Sequence, residues 1–147
     1  MKRSILLSLV VFGLSLAAFA QTPVQKAVSD FGLVGSWGVD CQNTTDYSTF
    51  TYRDGLVYEE LGLATNKQTR TYVYKAAERV DATHLSVSVT ISDNTSINGT
   101  SMTLIYLKHS DGRMQTVSNI RADGTVVVKD GKIVGNGAAT PSWGRCQ

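Results

Sequence analysis

The chain has 147 residues, of which 42% are hydrophobic and 18% charged, with a formal net charge of +2. That length suits one domain, and the composition is too apolar and too weakly charged for disorder. The flat acid–base balance excludes a nucleic-acid partner held by bulk charge, and two cysteines cannot build a disulfide-dense mini-protein or a four-ligand zinc site.

Met1 to Ala20 opens with Lys2 and Arg3, continues as an apolar run from Ile5 to Leu16, and ends in Ala18-Phe19-Ala20, an A-x-A cleavage pattern. This predicts a secretory signal peptide over residues 1–20, leaving 21–147 as a single β-barrel domain. A membrane anchor is the alternative, but the run is short for a bilayer that needs ~20 apolar residues. No later stretch is apolar enough to span, so no membrane span is expected after cleavage. Removing Lys2 and Arg3 leaves bases and acids equal. The expected location is exported, in a bacterial periplasm or outside the cell.

Pro23 to Phe31 carries the helical signal. Pro23 suits a first helical position, Val24, Ala27 and Val28 fall at helical spacing, and Gly32 stops the helix. From Gly35 the period is two. His84 to Ile91 places Leu85, Val87, Val89 and Ile91 on one face and His84, Ser86, Ser88 and Thr90 on the other. Strands are predicted at 35–41, 48–53, 56–63, 69–78, 84–92, 100–109, 113–121, 125–129 and 132–135. Between them, Asp-Gly and Asn-Gly steps such as Asp54-Gly55 and Asp130-Gly131 supply the positive φ of tight hairpins. Short connections make neighbours antiparallel, and closure removes the two edges. The expectation is an all-β, antiparallel up-and-down barrel of eight to nine strands with a short N-terminal helix; a flattened sandwich is second.

Cys41 and Cys146 are the two cysteines. In an oxidising compartment they are expected to pair, which closes a loop worth up to ~4.7 kcal/mol in the chain-entropy model. A reactive thiol pair is the alternative, but such pairs usually sit close together as C-x-x-C.

Gly35-Ser36-Trp37 is a G-x-W on the first strand, directly after a short helix. In this it resembles the lipocalins and their calycin relatives, which implies a lipocalin-like barrel whose Trp37 indole packs across one end. The resemblance further implies an arginine stacked on Trp37 as a cation–π pair. Arg145, beside Cys146, is one candidate and Arg121 an equal one. Trp37 to Cys41, Asp123 to Gly135 and Thr140-Pro141 with Cys146 also resemble a set of small exported bacterial proteins of unassigned function. The long C-terminal helix of true lipocalins has no counterpart here: Ala138 to Gln147 is short and holds Pro141 and Gly144.

Signals for an enzyme are poor. His84 and His109 have no metal-ligand spacing, and Glu59 and Glu60 are adjacent on a strand, so they point to opposite faces. No nucleophile motif or phosphate-cradling loop is present, and no catalytic residue, metal or cofactor is expected. Asn43-Thr44-Thr45, Asn94-Thr95-Ser96 and Asn98-Gly99-Thr100 match glycosylation triplets but read as turn chemistry. The aromatics are the remaining clue. Trp37 shares parity with Val39 and Cys41, Tyr72 and Tyr74 with Ala76, and Phe50 with Tyr52. If these faces point inward, Trp37, Phe50, Tyr52, Tyr72 and Tyr74 line a small site; alternatively they fill the core. The expected function is that of an exported, lipocalin-like binding protein for a small apolar or amphipathic ligand. The alternative is a protein-interaction module, such as an inhibitor of a cell-wall lytic enzyme like lysozyme, acting through a polar loop at Asp93–Thr100.

Overall fold

A computed structural model describes residues 20–42, 46–63 and 68–146. The expected leader before Ala20 and the Asn43-Thr44-Thr45 triplet lie outside the described residues.

Helix α1 spans Pro23–Phe31. Its start is a capping box: the Gln25 amide donates to Thr22 Oγ1 at 3.2 Å and the Thr22 amide to Gln25 Oε1 at 2.9 Å. Gly32 ends it at φ 87°. Val28 and Phe31 are buried and turn the helix onto the core.

Ten strands follow: β1 (Gly35–Gly38), β2 (Tyr47–Arg53), β3 (Leu56–Leu63), β4 (Gln68–Arg79), β5 (His84–Ile91), β6 (Ser101–Lys108), β7 (Met114–Arg121), β8 (Val126–Lys129), β9 (Lys132–Ile133) and β10 (Ser142–Cys146). All pair antiparallel in the order β10-β1-β2-β3-β4-β5-β6-β7-β8-β9, and β10 also pairs with β7. That extra pairing closes β10 and β1 to β7 into an eight-stranded barrel and leaves β8 and β9 outside. The alternation in β5 holds as expected, with Leu85, Val87, Val89 and Ile91 buried. Tight turns follow the Asp-Gly steps: Asp54 and Gly55 lie at φ 52° and 77°, Asp130 and Gly131 at 51° and 71°.

Two expectations are corrected. Strand β1 ends at Gly38 rather than residue 41, so Val39 is 48% exposed and does not share the Trp37 face. A bulge between Tyr74 and Ala76 flips the parity of β4, so Ala76 is exposed and Ala77 packs on the core. The tail, read as too short for a long helix, forms β10, the strand that closes the barrel. Ser142-Trp143-Gly144 repeats Ser36-Trp37-Gly38, and the two segments pair with Gly38 opposite Gly144.

The seam is unusual because β7 serves two partners. Met114 and Gln115 pair with β10, while Asn119 and Ile120 pair with β8. Buried Thr140 sits at the fork. Its amide donates to Gly131 O at 2.8 Å, its hydroxyl to Thr116 O at 2.7 Å, and Gln115 Nε2 donates to Thr140 Oγ1 at 3.1 Å. At the far end of β10, Cys41 and Cys146 form a disulfide across 105 residues, a bond that persists in non-reducing, exported environments. No helix among the described residues is long and apolar enough to cross a membrane.

Candidate functional site

Two ends of the barrel differ. At one, α1 packs against β3 and β4, and Tyr52 donates its hydroxyl to Gln25 O at 2.9 Å. At this end Trp37 Nε1 donates to Leu33 O at 2.8 Å. The Arg145 guanidinium lies 5.8 Å from the Trp37 ring centre and donates to Val34 O at 2.9 Å. Arg121 closes β7 at the opposite end, so the two arginines serve different places.

At that opposite end the connection between β5 and β6 folds over the mouth. Asp93, Thr95 and Ile97 turn inward in alternation, and Ile97 packs on the core. The Asp93–Thr100 loop, the polar candidate for a protein contact, is therefore tied down. Thr95 donates its hydroxyl to Asp93 Oδ1 at 2.5 Å and its amide at 2.9 Å. These donors hold the Asp93 carboxyl below its ordinary value, with Arg70 assisting.

Under this loop is a cavity of about 60 Å³ bordered by Arg70, Tyr72, Ile97, Met102, Asn119 and Arg121, among others. Three polar atoms at this end are buried without a hydrogen-bond partner: Arg70 Nε, Asp93 Oδ2 and Asn119 Oδ1. Arg70 Nε and Asp93 Oδ2 face each other at 3.5 Å, too far for a good bond.

The centre of the barrel is filled. Phe50 sets its ring edge-on to Tyr74 and Tyr106, each at 6.1 Å. Beside them Glu59, 1% exposed, receives Ser48 Oγ at 2.5 Å, and its Oε2 lies 2.8 Å from each of the Tyr74 and Tyr106 hydroxyl oxygens. The two phenol oxygens are 2.9 Å apart. Burial pushes the Glu59 carboxyl above its ordinary value, although three donors pull the other way. Burial, with Glu59 adding, pushes the Tyr72 phenol up to about 12.

The five aromatics expected to line a site are thus spread. Trp37, Phe50 and Tyr74 are buried against one another's neighbours in the core, Tyr72 borders the cavity, and Tyr52 stands 36% exposed where β2 outruns the barrel. Sequence reasoning missed Glu59, Ser48, Tyr106, Arg70 and Asn119. A signal for Glu59 existed: it shares parity with Val57 and Leu61 on β3.

A groove of about 670 Å³ lies outside the barrel wall. Ile105, Leu107, Val117, Ile120 and Val126 border it, between the outer faces of β6 and β7 and strand β8. His84 and His109 pair with Asp81 and Gln115 respectively, and among the described residues no group of three His, Cys, Asp or Glu could hold a metal ion.

No family model, curated protein or solved structure matches the chain.

Proposed function

We propose that the protein is an exported, lipocalin-like barrel that binds a small amphipathic molecule at the end covered by residues 92–100. The observation that carries this reading is the meeting of two buried polar atoms without a hydrogen-bond partner, Arg70 Nε and Asn119 Oδ1, with apolar Ile97 and Met102 around one cavity. Buried polar atoms ordinarily find partners, and ligand sites combine apolar walls with a few placed polar groups. Arg70 and Asn119 would receive the polar end of the molecule. About 60 Å³ holds only that end, because drug-sized ligands occupy roughly 300 Å³ or more. The rest of the molecule takes the place of Ile97, so binding lifts the loop.

Purified protein exposed to a lipid extract and studied by native mass spectrometry tests this. A bound mass is expected in wild type and its loss in Met102→Trp, which fills the cavity. An unliganded mass in both proteins would remove the reading.

A second reading has its own support. The outer groove leaves Ile120 and Val126 each 41% exposed beside Ile105 and Leu107, and clustered exposed apolar residues mark protein contacts. In this reading the barrel is an interaction module, for instance against a cell-wall lytic enzyme. A lysozyme lysis assay with excess protein checks that case; unchanged lysis rates exclude it.

A further inference from the structure

Glu59 Oε2 and the Tyr74 and Tyr106 hydroxyl oxygens form a triangle with sides of 2.8, 2.8 and 2.9 Å. Each side has the length of an O–H···O hydrogen bond, and each such bond needs one proton. The two phenols supply two. Ser48 spends its proton on the other carboxyl oxygen, Oε1. The third side is filled only if Glu59 carries a proton. An ionised Glu59 would press two oxygens together, lone pair against lone pair, on one side of the triangle.

The surroundings agree. From β2 the carboxyl meets Ser48 and Phe50, from β4 Tyr72 and Tyr74, and from β6 Tyr106. None of these is a cation. Arg70 and Asp93 bear on Tyr72, one layer toward the cavity. A buried carboxylate without a counter-charge is costly, and such a group neutralises instead.

We propose that Glu59 is a neutral carboxylic acid in the folded barrel, which makes the barrel a pH-sensitive device that weakens as the solution turns alkaline. The sign follows from proton linkage. The folded state holds a proton that the unfolded chain releases near the ordinary glutamate value of about 4.3. The stabilisation is complete below that value and is lost as pH rises through the higher folded value. This inference does not depend on the ligand reading.

The test is a pair of measurements on the full exported chain. Infrared spectroscopy at pH 7 should show the carbonyl stretch of a protonated carboxyl in wild type and not in Glu59→Gln. Denaturant unfolding between pH 5 and 9 should show the wild-type unfolding constant rising by about tenfold per pH unit below the folded value, the one-proton slope. Glu59→Gln, which keeps the shape and a donor for the triangle, should lack that component. Both proteins share His84 and His109, so the difference in slope belongs to Glu59. A wild type with no such band, or equal slopes in both proteins, overturns the proposal. If Glu59→Gln does not fold, the wild-type band decides alone: presence supports the proposal and absence ends it.

Discussion

Trp37 and Trp143 carry the same side chain into the same core with different hydrogen bonding. Trp37 Nε1 donates to Leu33 O, whereas Trp143 Nε1 is buried with no partner among the described residues. Replacing each by Phe removes a similar volume, but Trp37→Phe also strands a carbonyl, while Trp143→Phe relieves an unpaired donor. Trp37→Phe is therefore expected to cost about 1 kcal/mol more in urea unfolding; equal losses would contradict the hydrogen-bond argument. Side-chain direction was partly legible from sequence. Phe50 and Tyr74, on faces that could point inward, are buried, whereas Tyr52, of the same parity as Phe50, is 36% exposed. Glu59 was not legible, because a carboxylate reads as a solvent group until its donors are known, and Ser48, Tyr74 and Tyr106 lie 11, 15 and 47 residues away.

At the scale of elements, the helix was written locally: Pro23 opens it and Gly32 stops it. Strands with long alternation, such as β5, were equally plain. Strand β10 was not, since Ser142 to Cys146 has only Trp143 buried, and its pairing partners are β1 and β7, far away in sequence. The fork that β10 shares with β8 depends on Gly131. At φ 71° a side chain is strained, and a Cβ there would sit 3.1 Å from Gln115 Nε2. Gly131→Ala should destabilise the barrel by about 1–2 kcal/mol in chemical denaturation. The turns add an acid limb. Backbone amides of Thr83 and Thr125 hold Asp81 and Asp123 below their ordinary values. Their stabilisation is present above about pH 4 and is lost as pH falls through the depressed values. Thermal melts of Asp81→Ala combined with Asp123→Ala should show a shallower decline between pH 5 and 2 than wild type.

For the molecule as a whole, barrel closure and the disulfide followed from compartment and strand count. The route of closure did not, because β8 and β9 look like ordinary barrel strands in sequence yet lie outside. The cavity was illegible for a similar reason: Arg70, Asn119 and Ile97 converge only through the register of β4, β7 and the loop after β5. Replacing Cys41 and Cys146 together by Ser should cost about 2–5 kcal/mol, read as a lower denaturation midpoint. The Trp37 emission should change with it, since Arg145 is held beside that ring by the same seam.

Because β7 hands its first residues to β10 and its last to β8, the eighth stave of the tube is contributed by a segment that joins no hairpin. Such a stave can be detached and returned. A chain ending before Ala138 should remain an open, loosely packed trough, and a synthetic peptide spanning 138–147 should dock in trans by strand addition and restore a sharp melting transition. This would make the fold a two-piece reporter whose assembly is readable by the blue shift of Trp143 emission as it leaves water.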